Sequence, residues 1–292
     1  MDSVFVAVGL PVALAVVMLG LGLSLTPADF RRVAQRPLPV AAALGTQLVV
    51  LPAICFGLVL ALGLDPVLAA GMMLLAASPG GTTANLFSHL FRGDVALNIT
   101  LTAVNSVLAV VTLPVVLGLS LAFFGLDGAV GLQGGKALQV FAVVLVPVVL
   151  GMLVRRAAPG FADRADRPVR ILSALVLAGV IIGALLSERE ALPGVIAEVG
   201  LAVVLLGVIS LALGYLLPRL LRVGHPQAVA SSFEVGIHNS TLAIAVAVGV
   251  LGVERLAVPA AVYGVLMFPL ALAAGFALRR LAPDREASPV PA

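Results

Sequence analysis

The sequence predicts an all-α polytopic membrane protein, on three observations: an apolar composition, a succession of span-length apolar runs, and arginines confined to alternate connections. Of 292 residues, 61% are hydrophobic and only 11% charged, with a mean hydropathy of +1.20. A soluble domain carries about 25% charged residues, and so apolar a chain would expose broad greasy surface to water. Lipid is therefore the expected solvent over most of its outside.

A helix needs about 20 residues to cross the hydrocarbon layer. Apolar runs fall at about 4–25, 38–62, 67–90, 95–123, 134–154, 171–187, 193–218, 227–250 and 257–278. They predict nine spans in one transmembrane unit, with little chain left for a soluble domain. The first run lacks the basic flank of a cleaved signal and reads as a retained helix. Thirty glycines and nineteen prolines suit close helix packing and broken helices inside a bilayer. The single cysteine, Cys55, lies in the second run and reads as a small buried hydrophobe.

The basic residues fix an orientation. Arg31, Arg32 and Arg36 follow the first run, Arg92 the third, and Arg155, Arg156, Arg164, Arg167 and Arg170 the fifth. Arg219 and Arg222 follow the seventh, and Arg279, Arg280 and Arg285 the ninth. The intervening connections hold only Lys136, Arg189 and Arg255, beside Asp65, Asp127, Glu188, Glu190 and Glu254. By the positive-inside rule the arginine-rich side is cytoplasmic. A multi-pass protein of the inner (plasma) membrane is expected, with its N-terminus outside and C-terminus in the cytoplasm. The excess of basic residues then meets anionic lipid rather than nucleic acid, and no obligate protein partner is indicated.

Polar residues at membrane depth mark the candidate site. Glu234 sits deep in the eighth run, followed by Gly236, His238, Asn239, Ser240 and Thr241. A carboxyl group there turns to the bundle interior, where it pairs, takes a proton or binds a cation. A carboxylate beside unwound backbone carbonyls makes a hard-oxygen site suited to an alkali cation. His238 by itself reads more simply as a hydrogen-bonded structural histidine. Zinc is not indicated, since Cys55, His89 and His225 form no spaced cluster with it.

The third run carries a second interruption, Ala77-Ser78-Pro79-Gly80-Gly81-Thr82-Thr83-Ala84-Asn85. Proline removes an amide donor and paired glycines relax the backbone, which predicts a broken helix. In the fourth run Asn98, Thr102, Asn105 and Ser106 recur at helical spacing and make one polar face. Gln47, in the second run, reads equally as a helix-helix hydrogen bond or a ligand.

The interruptions occupy matching places. Each broken helix is followed by one long span, and the two run in opposite directions across the predicted topology. Paired discontinuous helices in inverted halves point to a secondary transporter with a central site. Four spans plus five give nine, as if the first unit lacked its opening helix.

At these residues the chain resembles the bile acid:sodium symporter family. The likeness runs from Met18-Leu19-Gly20-Leu21-Gly22-Leu23, through Pro79 to Asn85 and Gly93-Asp94-Val95-Ala96-Leu97, to Glu234-Val235-Gly236-Ile237-His238-Asn239-Ser240. The resemblance implies a panel domain of helices one, five and six. It implies a core of helices two to four and seven to nine, in which the two discontinuous helices cross. It further implies one or two sodium ions. One would be held by the Ala84 backbone, Asn85, Asn98, Thr102 and Glu234. The other would take Gln47, Glu234, the carbonyls of Val235 and Ile237, and His238. Three positions depart from the family's pattern: Ala84 and Asn98 replace serines, and His238 stands where glutamine is usual.

The expected function is sodium-coupled symport of an organic anion, bile acid-like or a smaller carboxylate, by alternating access. The anion would meet Gly80, Gly81, Thr82 and Asn239 at the half-helix N-termini, whose unpaired amides favour a carboxylate. A proton-coupled or facilitative carrier is the main alternative. A channel lacks a repeated selectivity filter. The short spacing of Glu234, His238 and Ser240 does not make a catalytic triad, so no enzyme is expected.

Overall fold

The computed structural model describes residues 15–16, 18–20, 22–23, 27–126, 134–165, 168, 171–172 and 192–281. Most of the first and sixth apolar runs lie outside the described residues. So do Asp127, Arg167, Arg170, Glu188, Arg189, Glu190 and Arg285.

Every described element is helical. In chain order they are α1 (Pro27–Gln35), α2 (Pro37–Ala61), α3 (Pro66–Ala77), α4 (Thr82–Leu90), α5 (Val95–Phe123), α6 (Gly134–Ala157), α7 (Leu192–Leu220), α8 (His225–Gly236), α9 (Ser240–Val250) and α10 (Glu254–Arg280). Four stretches are long and apolar enough to cross a membrane: Pro37–Ala61, Val95–Phe123, Ile196–Leu220 and Glu254–Arg280. Their outward faces carry large apolar side chains such as Val49, Leu119, Leu201 and Phe276, as a lipid-facing surface requires. The protein is thus an all-α polytopic membrane protein.

Two spans are discontinuous. The α3 helix of 12 residues and α4 of 9 are separated only by Ser78–Gly81, and α8 and α9 only by Ile237–Asn239. None of these four pieces reaches the roughly 20 residues a crossing needs. Each pair instead makes one interrupted crossing.

Local sequence sets these boundaries. Asp65 caps α3, its Oδ1 accepting the amides of Val67 at 3.0 Å and Leu68 at 3.3 Å, with Pro66 in the first turn where it sacrifices no bond. Asp94 caps α5 in the same way through Leu97, at 3.0 Å. The Asp94 amide donates to the Pro226 carbonyl at 2.8 Å, and its carboxylate meets Arg36 at 3.2 Å, so the ends of α2, α5 and α8 are tied together. On the opposite side Arg255 joins Asp65 (3.5 Å) and Glu198 (3.2 Å), fastening α3, α7 and α10.

Small residues let helices touch backbone to backbone. A side chain added at Gly151 of α6 would lie 2.7 Å from the Leu23 nitrogen and 2.8 Å from the Gly22 carbonyl carbon. The Met18–Leu23 segment that opened the family likeness therefore crosses α6 directly. The main apolar core lies between α2, α3, α5, α7, α9 and α10, and includes Leu51, Leu74, Leu113, Leu206 and Val246. Cys55 is buried within it, as expected, its thiol 3.5 Å from the Met72 carbonyl.

Candidate functional site: the crossing of two broken helices

The two interruptions meet and pair. The Gly81 amide donates to the Ile237 carbonyl at 3.1 Å and the Asn239 amide to the Pro79 carbonyl at 2.9 Å, an antiparallel bridge between Gly80 and His238. Backbone that leaves a helix inside a bilayer must find other partners. Each break supplies them to the other.

Three further carbonyls at the breaks are met by side chains. Gln47 donates its amide to Ser78 O at 3.0 Å and to Ala76 O at 3.4 Å, capping α3 from a widened π-turn of α2 at Thr46–Val50. Nδ1 of His238 lies 3.4 Å from the same Ser78 carbonyl. Tyr263, fully buried on α10, donates to Gly236 O at 2.5 Å and lays its ring 5.2 Å from the His238 ring. The Val235 carbonyl loses its usual partner four residues on, because the Asn239 amide is spent on Pro79. It is therefore without that donor.

Tyr263→Phe is expected to leave the Gly236 carbonyl unsatisfied and lower stability by roughly 1–3 kcal/mol. The readout is a lower thermal unfolding midpoint of purified protein. An unchanged midpoint would show that the hydroxyl contributes nothing to the break.

Glu234 stands at the centre, 1% exposed. Thr102 donates to its Oε2 at 2.6 Å, Asn105 to its Oε1 at 3.4 Å, and the Gly80 amide also donates to the carboxylate. Among the described residues no arginine, lysine or histidine pairs with it. Gly80 is required here, since a Cβ on it would fall 2.6 Å from Oε2 and closer still to the rest of the carboxyl group.

The polar face of α5 points inward. Asn98, Thr102, Asn105 and Ser106 are all buried. The Asn98 amide donates to Ser88 Oγ at 2.7 Å and to Ala230 O at 2.8 Å, joining α4, α5 and α8, while its Oδ1 lies 3.5 Å from the Thr102 hydroxyl. Ala84 is wholly buried, its amide bonded to Gly81 O at 2.9 Å. Three amide oxygens around the crossing lack any donor: Gln47 Oε1, Asn85 Oδ1 and Asn105 Oδ1. His238 Nε2 and Ser240 Oγ are likewise unpartnered.

Of the residues named from sequence, Thr102 and Glu234 are in direct contact, with Asn98 against Thr102. Gln47 and His238 meet at Ser78 O rather than at Glu234. The Ile237 carbonyl already accepts from Gly81, and Asn239 Oδ1 caps α9 through the Leu242 amide at 3.0 Å. Gly81 immediately precedes α4, which Thr82 begins without a side-chain cap. Sequence reasoning placed Asn105 on the polar face without a role. Its signal was the three-residue step from Thr102. Tyr263 carried none beyond being an aromatic in an apolar run.

Glu234, His238 and Ser240 are not hydrogen-bonded to one another: Nδ1 of His238 meets Ser78 O, its Nε2 and Ser240 Oγ are unpartnered, and Glu234 is held by Thr102 and Asn105. No group of three or more His, Cys, Asp or Glu able to hold a metal exists among the described residues. The oxygens at the crossing are mostly neutral amides, hydroxyls and carbonyls around a single carboxylate, which favours a hard monovalent cation over a transition metal.

These features define a class: a multi-pass membrane protein with a buried, oxygen-rich site where two discontinuous helices cross. The chain belongs to the Sodium Bile acid symporter family, whose model matches residues 11–194. It is 28% identical over 86% of its length to an uncharacterized sodium-dependent transporter of Bacillus subtilis, covering 77% of that protein. It is 32% identical over 94% of its length to a probable chloroplastic sodium/metabolite cotransporter of Arabidopsis thaliana, covering 67% of it. A second such cotransporter, from rice, is 31% identical over 88% of the chain and is covered to 60%. The family is one of sodium-dependent membrane transporters, not of enzymes.

Proposed function

We propose that this protein is a sodium-coupled symporter that takes up an organic anion, bile acid-like or a smaller carboxylate, by alternating access. One observation carries the reading: Glu234 is buried where two broken helices cross, with no charged partner among the described residues. A carboxylate buried in a spanning segment and held by hydrogen-bond donors alone lacks a counter-charge, which a bound cation would supply. The kinship with proteins named as sodium-dependent transporters and sodium/metabolite cotransporters supports sodium as that cation.

One sodium is assigned to Glu234, Thr102, Asn98, Asn85 and the Ala84 carbonyl. A second would use Glu234, Gln47, His238 and the carbonyls of Val235 and Ile237. The two half-helices that end at the crossing, α3 and α8, present carbonyls there, and the two that begin there, α4 and α9, present amides. By the helix dipole the first pair favours a cation and the second an anion. Gly80, Gly81, Thr82 and Asn239, lying at these N-termini, are the proposed anion contacts. Sodium would lock the crossing, and the panel (about 4–25, 134–154 and 171–187) would then move against the core (about 38–62, 67–90, 95–123, 193–218, 227–250 and 257–278). The N-terminus is placed outside and the C-terminus in the cytoplasm, in nine spans.

Uptake of labelled carboxylates, bile acids included, into proteoliposomes under imposed gradients tests this. An inward sodium gradient is expected to drive accumulation, and potassium or a proton gradient alone is not. Accumulation on a proton gradient without sodium would overturn sodium coupling in favour of proton symport.

A further inference from the structure

We infer that Asn105 is a direct ligand of the cation at Glu234, a residue outside both sodium sets that the family likeness assigns. The proposal rests on reading the crossing as a sodium site. Its ground is an orphan amide oxygen whose own nitrogen is bonded to the carboxylate. Asn105 is 1% exposed, its Nδ2 lies 3.4 Å from Glu234 Oε1, and its Oδ1 has no hydrogen-bond partner. Because Nδ2 and Oδ1 share one planar amide, that orphan oxygen is held within a few ångström of the carboxylate.

In this low-dielectric interior the Asn105 amide is joined to the carboxylate by Nδ2, while its oxygen is left without any donor. A buried acceptor is thus unmet, beside a buried carboxylate with no cationic partner among the described residues. A water molecule would satisfy Oδ1 but would leave the charge of Glu234 uncompensated. A monovalent cation between Asn105 Oδ1 and the carboxylate removes both penalties. The remaining ligands are already in place, since Thr102 Oγ1 sits 2.6 Å from Oε2 on the same helix face, one turn before Asn105.

The ligand chemistry also accounts for the sequence. Ala84 offers this site no side-chain oxygen, and its backbone amide is engaged within its own turn. An oxygen from Asn105 raises the count of oxygen ligands around the ion without adding a second negative charge. The alternative for Asn105 is a positioning residue, which would act only by donating Nδ2 to Glu234. The two roles differ in which atom matters.

The test is sodium binding to the purified full chain in detergent without any organic anion. Thermal unfolding is followed while NaCl replaces choline chloride at constant ionic strength, and again with LiCl. Ligand that binds only the folded state raises the unfolding midpoint with concentration. For Asn105→Ala, the sodium concentration giving half the shift is expected to rise about tenfold, the effect of losing one bond to a charged partner. The preference for sodium over lithium is expected to change with it. For Asn105→Asp, which keeps an oxygen and gives up the Nδ2 donation, the half-shift concentration is expected to stay at or below that of the unchanged protein.

Asn105→Asp weakened as much as Asn105→Ala would overturn the ligand role and leave a positioning residue. An Asn105→Ala variant with unchanged sodium response and ion preference would overturn any role at the site. Should Asn105→Ala not fold, Asn105→Asp together with the ion preference still decides between the two atoms. If the unchanged protein gains no stability from sodium over choline, the sodium reading itself fails, and this inference with it. A sodium response that Glu234→Gln abolishes while Asn105→Ala leaves it intact refutes only the assignment of Asn105.

Discussion

Gly80→Ala is expected to abolish sodium-driven uptake while leaving a membrane-inserted protein. The added methyl would lie 2.6 Å from Glu234 Oε2 and overlap the rest of the carboxyl group, so the side chain must swing away. Swinging breaks the 2.6 Å bond from Thr102 and the bond from the Gly80 amide together. Two bonds to a charged group are worth about 3 kcal/mol or more, which corresponds to roughly a hundredfold loss in sodium affinity. The backbone pairing of Gly81 with Ile237 and of Asn239 with Pro79 does not involve the Gly80 side of the carboxylate and should persist. Transport measured against NaCl concentration, with surface expression as control, checks this. Uptake at ordinary sodium with wild-type dependence would mean that Glu234 does not hold the ion.

Glu234→Gln is expected to lose sodium dependence without losing the fold. The substitution keeps the shape and removes the charge. Its new NH2 group confronts the donors from Thr102, Asn105 and Gly80, so at least one bond at the site is lost. Removing a buried charge that has no cationic partner among the described residues nevertheless relieves a penalty on the order of 3 kcal/mol at membrane depth. The expected signature is therefore opposed: an unfolding midpoint in choline chloride equal to or above that of the unchanged protein, and no further rise on adding NaCl. A variant that still gains stability from sodium would remove Glu234 from the ion site. A variant that collapses even in choline would show that the carboxylate holds the fold instead.

The breaks were readable because their chemistry is local. Pro79 lacks an amide hydrogen and Gly80-Gly81 lack side chains, and an acid two residues before Gly236 has no place in an unbroken lipid-facing helix. The polar face of α5 was readable from spacing alone, and all four of its residues are buried. What could not be read was which atom meets which. Gln47 looked equally like a packing bond or a ligand. It caps the end of α3 with its nitrogen and leaves its oxygen free, which needs α2 and α3 in register. Asn105 and Tyr263 went unassigned for the same reason. Their partners, Glu234 and Gly236, lie 129 and 27 positions away, and only packing brings them together. Local spacing announces that a helix breaks; long-range geometry decides who repairs it.

That repair has a consequence for how the chain is made. Ser78 and His238 meet at a separation of 160 positions, and neither interruption has all its hydrogen-bond partners until both are inserted. During synthesis the first broken helix must therefore wait, with Pro79 O and Gly81 N unpaired, while more than half of the chain is added. Long-range closures of this kind form late. A ribosome stalled before His225 would leave an unsatisfied break exposed in the bilayer, a natural mark for membrane quality control to recognise.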